Sequence, residues 1–272
     1  MSQRKQLFFL IGVVCMVGLA CNLSKIGAAP SNQAPNGTQE PNAPQVSNPA
    51  ATSAPAAPPS QPLGLRQGLA LLNSYRIKTH LVFNGPTAQD TNDTLIQVEY
   101  SKDADQYHMS TETTTTSADS PDPEHSISEQ YRIGDKTCDF TPTDPDNPDG
   151  TIEDNPPAEK ALTNSLMSLF DVSIFAENPV FVASETVNGI AANHYTFNVS
   201  GLAAVTGAEV TQSQGEYWVA KDGRYLVKYI ATLETRSAPV GDAAAEVMHL
   251  ETTIDLTDVD TPITISMPPN CK

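Results

Sequence analysis

The chain is predicted to be an α+β protein dominated by one antiparallel sheet of about 9–11 strands. Many short runs alternate apolar with polar residues, and turn residues separate these runs every ~8–12 positions. One longer stretch, 157–170, instead spaces its apolar residues as a helix does and interrupts the strands. We assign these elements to a single domain over 63–272, because about 200 residues can share one hydrophobic core.

The first half of the domain begins with a short predicted helix and continues in strands. Leucines at helical spacing predict a helix over 65–72. Alternation over 75–83 then predicts a strand that ends at Asn84-Gly85. The polar segment Thr114–Glu124 is predicted to be a loop between two later strands. Further strands are predicted around 96–100, 107–113, 127–133 and 136–140.

The main helix is predicted to follow Pro156-Pro157, since proline is tolerated in the first helical turn. Its apolar stripe includes Leu162 and Leu169. Two turns, Asn188-Gly189 and Lys221-Asp222-Gly223, then separate strands in the last third. These strands are predicted around 180–187, 195–199, 215–220, 225–233, 247–256 and 263–267.

The N-terminus has the organisation of a secretory signal peptide. Arg4 and Lys5 precede an unbroken apolar run from Leu7 to Ala20. A helix of this run would be ~21 Å long, which is shorter than the ~30 Å hydrocarbon core of a bilayer. We therefore predict that residues 1–20 are a cleavable signal peptide.

Cys21 is the candidate lipid anchor. Gly18-Leu19-Ala20-Cys21 resembles a bacterial lipobox, although leucine is usual where this chain has Gly18. The resemblance implies cleavage before Cys21, followed by acylation of its sulfur and its new amino group. The alternative is an ordinary signal peptide that is cut after Ala20 or a few residues on.

Residues 21–62 are predicted to be the lipidated Cys21 followed by a disordered tether. Nine of the 41 positions in 22–62 are proline, and most of the others are Ala, Asn, Ser or Gln. Such a composition cannot bury enough apolar surface to offset the entropy lost on ordering. We expect this segment to act only as a spacer.

The charge balance excludes nucleic acid as a partner, and it means that surface charge cannot hold the protein at a membrane. Lys and Arg total 15 against 32 Asp and Glu, so the formal net charge is −17. This charge would repel phosphate backbones and anionic headgroups. Several acyl chains on one cysteine can hold such a protein at a bilayer. We therefore expect an exported protein anchored to the cell membrane, with its domain on the extracytoplasmic side, either at the cell surface or in a periplasm.

Cys138 and Cys271 remain after Cys15 is removed with the signal peptide and Cys21 is acylated. In an oxidising compartment, a disulfide between them would close a long loop and contribute ~4–5 kcal/mol in the chain-entropy model. The alternative is two separate thiols.

Signatures of enzymes and metal sites are largely missing from the sequence. It contains no GxSxG elbow, P-loop, GxGxxG after a strand or HExxH, so we expect no catalytic residue and no cofactor. The histidines are scattered and are interpreted as structural. A weak calcium candidate lies in the acidic loop, where carboxylates surround a glycine, but a solvated loop is the favoured interpretation. Its members are Asp144, Asp146, Asp149 and Glu153.

A curved sheet with a long helix on its concave side can enclose a hollow, and small-molecule sites of this kind are mostly apolar. The alternative is an ordinary filled core, which would give the same spacing of apolar residues along the sequence. The candidate residues for such a cavity are large and apolar or aromatic: Leu81, Phe83, Val98, Tyr100, Met109, Leu166, Met167, Phe170, Tyr195, Phe197, Trp218 and Tyr229.

Four stretches carry a resemblance to a known group of proteins. They are LNSYRIKTHLVFNG from Leu72, ETVNGIAANHYTF from Glu185, GEYWVAKDGRYLVKYIATLE from Gly215, and PITISMPP from Pro262. Their order, with a central helix between the first two, resembles the LppX/LprG-type lipoproteins within the LolA/LolB/RseB group of lipoprotein-carrier-like folds. The resemblance covers about residues 64–270.

This resemblance implies a half-open antiparallel β-barrel with helices packed on its concave face around a cavity for lipid acyl chains. It implies no catalytic residues. Our main hypothesis is therefore a membrane-anchored lipoprotein that binds or carries a lipid-like hydrophobic ligand. One alternative is an RseB-type sensor that reports its ligand to a membrane protein partner. A second alternative is a surface interaction domain with a filled core.

Overall fold

The computed structural model describes residues 68–87, 89–118, 120–146, 148–154, 176–199, 209–236 and 246–272. The predicted signal peptide, the predicted tether and the predicted central helix lie outside these ranges. The cavity candidates Leu166, Met167 and Phe170 belong to that helix and are therefore also outside.

Eleven strands in the described ranges form one antiparallel sheet, which agrees with the predicted 9–11 strands. The strands are β1 (Ser74–Asn84), β2 (Thr91–Ser101), β3 (Gln106–Ser117), β4 (Ser120–Ile133), β5 (Lys136–Phe140), β6 (Glu153–Asp154), β7 (Ala176–Val187), β8 (Ile190–Val199), β9 (Glu209–Ala220), β10 (Leu226–Arg236) and β11 (Val247–Thr257). Their order across the sheet is β6-β5-β4-β3-β2-β1-β11-β10-β9-β8-β7. β6 and β7 are the two ends of this order and do not pair with each other, so the sheet that the described residues form is not closed.

The alternation in β1 sorts its side chains to two different faces of the sheet. Tyr75, Ile77 and Thr79 are buried, whereas Arg76 and His80 are exposed. Successive side chains of a strand point to opposite faces, so each register pair continues the same face onto the next strand. We call the face that holds Tyr75, Ile77 and Thr79 the apolar face, and the face that holds Arg76 and His80 the polar face.

The main core lies on the apolar face, near the centre of the sheet. Ile77 lies between Val98 of β2 and Leu256 of β11. Tyr229 of β10 lies between Ile254 of β11 and a tyrosine of β9. Burying one large apolar side chain contributes about 1.5–3 kcal/mol, so these contacts are the main stabilisation of the sheet.

The C-terminal residues cover one end of the sheet. A disulfide joins Cys138 of β5 to Cys271, with 6.0 Å between their Cα atoms. The Gly150 N–H donates to the Asn270 carbonyl at 3.0 Å, and the Lys272 N–H donates back to the Gly150 carbonyl at 3.0 Å. The β5–β6 end of the sheet is therefore covered by the protein's own last residues.

The prediction of a loop over Thr114–Glu124 is wrong. β3 continues to Ser117 and β4 begins at Ser120, so a tight connection replaces the loop. The polarity of the segment favoured a loop, but β5 pairs only with the end of β4, over 129–133. Among the described residues no strand pairs with the outer side of β4 at Pro121 and Pro123, and proline is tolerated at such a sheet edge.

The predicted strand over 263–267 is also wrong. Ile263 and Ile265 are buried, as their alternation indicated, but this segment joins no strand. The Ile265 N–H instead donates to the Gln106 side-chain oxygen at 2.9 Å. Both sides of β11 are already paired, with β1 and β10, so the segment that follows it finds no place there.

The predicted helix over 65–72 is described only from Gly68 onward, where the chain makes a single turn. The Leu71 N–H donates to the Gly68 carbonyl at 3.1 Å, and the Leu72 N–H donates to the Leu69 carbonyl at 3.0 Å. Leu69 and Leu72 are buried in the core. Within the described ranges, no helix has the length and apolar character that crossing a bilayer requires.

Candidate ligand-binding face

The sheet brings most of the predicted cavity residues to one face. Eight of them lie on the apolar face: Leu81, Phe83, Val98, Tyr100, Met109, Tyr195, Phe197 and Tyr229. Trp218 is not among these eight residues. It lies opposite Lys228 of β10 and His194 of β8, on the polar face.

Burial on the apolar face falls from one end of the strands to the other. Ile77 and its neighbours are almost fully buried, whereas Leu81 and Phe83 of the same strand are only partly buried. Leu250 of β11 lies directly opposite Phe83, and Met248 follows on the same face. Both are partly buried as well. We call Leu81, Phe83, Met248 and Leu250 the outer apolar patch.

Sequence reasoning missed Met248 and Leu250, although the alternation in β11 shows both. The candidates predicted on the strands that follow the central helix are all aromatic, so the aliphatic residues of β11 were left out. Leu233 of β10 lies opposite Leu250 and is buried, so the outer apolar patch is continuous with the core.

A hydrogen-bonded ladder of short polar side chains borders the outer apolar patch on β2 and β3. The Asn92 amide donates to the Thr115 hydroxyl at 3.0 Å. The Thr94 hydroxyl donates to the Asn92 amide oxygen at 2.9 Å and lies 3.3 Å from the Thr113 hydroxyl. Thr94 lies opposite Leu81 in the register, so uncharged hydrogen-bonding groups flank the patch directly.

Charged side chains are kept off this part of the sheet. Charged residues appear on the apolar face farther out, on β4, where Glu124 lies opposite Thr115 and Arg132 opposite Tyr107. In β1, β2 and β11, and in β3 up to Thr115, every position on the apolar face is an apolar residue, tyrosine, threonine or asparagine. The same holds for β10 from Tyr229 to Thr235. A face of this composition is suited to an uncharged or apolar ligand.

Three hydroxyl groups on the apolar face are buried and have no hydrogen-bond partner among the described residues: those of Thr79, Tyr107 and Tyr229. Burial raises the pKa of Tyr229 and of Tyr107 well above the ordinary tyrosine value. An unpaired buried hydroxyl costs about 1–3 kcal/mol, so these positions are held by the packing of their carbon atoms.

The polar face pairs each of the five histidines with carboxylates on neighbouring strands. His108 lies between Glu99 at 3.2 Å and Glu129 at 2.7 Å, and its ring stacks on Tyr131 at 4.2 Å. Burial alone would raise the pKa of Glu99, but hydrogen bonds from Arg76 and His108 outweigh it and lower that pKa. The single pairs are His80–Asp93 at 2.8 Å, His125–Glu112 at 2.9 Å and His249–Glu234 at 3.6 Å.

A second cluster on the polar face explains the position of Trp218. The His194 ring stacks on the Trp218 indole with 4.3 Å between centroids. The Trp218 Nε1–H donates to Glu185 at 2.5 Å, and His194 Nδ1 lies 3.2 Å from the same carboxylate. Glu216 lies 3.3 Å from His194 Nε2. Hydrogen bonding and stacking thus hold Trp218 on the polar face.

The acidic loop does not assemble a metal site among the described residues. Asp144 accepts a hydrogen bond from the Asp146 N–H at 2.9 Å, and Asp149 pairs with the Lys272 ammonium. No three His, Cys, Asp or Glu side chains of the described part converge as metal ligands. Glu153 pairs through its backbone in β6.

A depression of about 310 Å³ lies on the polar face, away from the cavity candidates. Charged residues of both signs line it, including Lys78, His80, Asp93 and Glu112. Its composition does not match the apolar hollow that the sequence predicts. Since that hollow also involves residues outside the described ranges, it stays a prediction.

No protein-family model matches the sequence, and no curated protein matches it. Among solved structures, LprF from Mycobacterium bovis matches at 14% identity with a TM-score of 0.39, covering 77% of this chain and 99% of that one. The Mycobacterium tuberculosis lipoprotein LppX matches at 12% identity with a TM-score of 0.36, covering 75% and 94%. The chain is similar to LppX-type lipoproteins. MucB, solved in complex with MucA(peri), matches at 10% identity with a TM-score of 0.29, covering 76% of this chain and 59% of that one.

Proposed function

We propose that this protein binds a lipid-like hydrophobic ligand on the apolar face of its sheet while Cys21 anchors it to a membrane. One observation carries the proposal: the outer apolar patch continues the core but is only partly buried. A soluble domain normally covers such a surface or uses it. The sequence resemblance to LppX/LprG-type lipoproteins favours the second reading.

The outer apolar patch offers a modest interaction free energy to a ligand. Full burial of one large apolar side chain contributes about 1.5–3 kcal/mol. Its four side chains are already mostly buried, so covering the remaining third or less of each would give at most roughly 2–4 kcal/mol before the costs of association. The ladder of Asn92, Thr94, Thr113 and Thr115 would accept an uncharged polar group at the rim of the patch.

Binding of a neutral fluorescent acyl probe tests this proposal. We expect the full chain to bind the probe, and Phe83→Glu or Leu250→Glu to weaken binding about tenfold or more by placing a carboxylate in the patch. Thr232→Glu is the matched control, because Thr232 is exposed on the polar face. Equal binding by all variants, or no binding by the unaltered chain, would sink the proposal.

The anchoring part of the proposal is tested separately by metabolic labelling with palmitate in a bacterial host. We expect the chain to incorporate label and to fractionate with membranes, and Cys21→Ala to lose both properties. An unlabelled chain released from cells would instead identify an ordinary signal peptide that is cut near Ala20.

A further inference from the structure

Two buried hydroxyl groups of the apolar face lie next to the outer apolar patch. Thr79 precedes Leu81 by two positions on β1, so their side chains are neighbours on the same face. Ile254 of β11 pairs with Thr79 on one side and with Tyr229 of β10 on the other. Thr79 and Tyr229 therefore belong to the row of residues that directly adjoins the patch.

Neither hydroxyl has a hydrogen-bond partner within the described part of the protein, although both residues are almost fully buried. Thr79 is 3% exposed and Tyr229 is 1% exposed. Native proteins pair the great majority of their buried polar groups, so each unpaired one requires an explanation. Valine and phenylalanine have nearly the same shapes and would fill these positions without the cost of an unpaired hydroxyl. Stability of the fold therefore does not account for the two hydroxyls.

The surroundings limit what these hydroxyls can bind. The apolar face carries no charged side chain on β1, on β11 or on β10 from Tyr229 to Thr235. Burial raises the pKa of Tyr229, so its hydroxyl stays protonated and can donate a hydrogen bond. A carboxylate or phosphate would be buried here without a counter-charge, which is costly. A carbonyl oxygen accepts hydrogen bonds and has no net charge, so it fits both conditions.

Short side chains lie between Tyr229 and the outer residues of the patch. Ala231 follows Tyr229 on the same face of β10, and it pairs with Thr252 of β11. Leu250 of the patch comes next on β11. Alanine and threonine extend less far from the sheet than the large side chains of the patch. A ligand group that lies on the patch can therefore reach over them toward Tyr229.

We propose that Thr79 and Tyr229 determine ligand specificity by donating hydrogen bonds to a carbonyl group of the ligand, which is an acyl ester or amide. The hydrocarbon chain of the ligand covers the outer apolar patch, and its carbonyl group lies one row deeper on the apolar face. This inference rests on the proposed function, and it adds the polar group by which the site selects its ligand.

Tyr107 provides a matched control. Its hydroxyl is also buried on the apolar face without a partner among the described residues. It lies opposite Tyr100, which lies opposite Tyr75, six positions before Leu81 on β1. At ~3.4 Å per residue, this separation places Tyr107 ~20 Å from the patch along the strand direction. Removing its hydroxyl should therefore not affect a ligand on the patch.

The test compares two neutral fluorescent probes, one with two acyl ester chains and the other its dialkyl ether analogue of the same chain length. The ether lacks the carbonyl groups, so we expect the unaltered full chain to bind the ester about tenfold more tightly or better. Tyr229→Phe and Thr79→Val should each weaken ester binding about threefold to tenfold, as expected for one lost hydrogen bond, without changing the affinity for the ether. Tyr107→Phe should leave both affinities unchanged.

Urea titrations of the same variants supply the second measurement. We expect neither Tyr229→Phe nor Thr79→Val to lower the free energy of unfolding, so affinity should fall without a loss of stability. A loss of stability would show that the hydroxyl has a partner inside the protein, such as a bound water, and would overturn the proposal.

The two probes also separate this inference from the proposed function. Equal affinity of the unaltered protein for ester and ether would overturn carbonyl recognition while leaving lipid binding intact. If the protein bound neither probe, the proposed function would fail and this inference would fail with it.

Discussion

Burial of phenol rings couples the stability of this protein to alkaline pH. Burial raises the pKa of all eight tyrosines, including that of Tyr217 to about 12. A folded-state pKa above the unfolded value means that the phenol keeps its proton to a higher pH in the folded state than in the unfolded state. The resulting stabilisation is fully present below about pH 10 and is lost as pH rises through the folded-state pKa.

We therefore expect the phenols to ionise together with unfolding. Absorbance at 295 nm and far-UV circular dichroism, followed from pH 8 to 13, should change in one step above pH 10. Gradual ionisation beginning near pH 10, with the circular dichroism unchanged, would show that the rings are accessible in the folded state.

The Tyr229 hydroxyl gives a second prediction. Replacing Tyr229 with Phe removes a buried group that has no hydrogen-bond partner in the described part of the chain, and it keeps the ring that packs on Phe197. The free energy of unfolding should stay equal or rise by about 1 kcal/mol in urea titrations. Tyr229→Ala, which removes the ring, should cost about 3–5 kcal/mol. A loss of more than 1 kcal/mol in Tyr229→Phe would reveal a partner for this hydroxyl.

Among the elements, strands with a clean period of two were predictable and irregular ones were not. Tyr75 to Phe83 alternates strictly, so its buried face could be assigned from the sequence. Residues 217–220 of β9 are four consecutive apolar or aromatic residues, and all four are buried. Because they do not alternate with polar residues, the sequence could not assign Trp218 to either face. The histidine–carboxylate pairs were also unpredictable, because they depend on the register between strands that are distant in the chain.

The disulfide between β5 and the C-terminal segment gives a prediction about the covered β5–β6 end of the sheet. Reducing it, or replacing both Cys138 and Cys271 with Ala, should lower the free energy of unfolding by about 2–5 kcal/mol, because the unfolded chain loses a long closed loop. Urea titrations with and without reductant measure this difference. The double variant is the control, since reductant should not affect it further. An unchanged midpoint on reduction would mean that the bond does not stabilise the fold.

For the molecule as a whole, the acidic surface bears on how the protein is held at a membrane, and the apolar face bears on which ligand it binds. A chain of net charge −17 is not drawn to anionic headgroups by its surface, so an acylated Cys21 is the feature that would hold it near lipid. The outer apolar patch would then lie on a domain within reach of a bilayer. Composition predicted the acidic surface, but the burial gradient along the apolar face required the sheet order.

The most direct test of the central claim is native mass spectrometry of the full-length protein, extracted from membranes in mild detergent. We predict an added mass from a bound acyl lipid, present in the unaltered protein and in Thr232→Glu but lost in Phe83→Glu. An unaltered protein without bound lipid, or the same lipid retained by Phe83→Glu, would contradict binding on the apolar face.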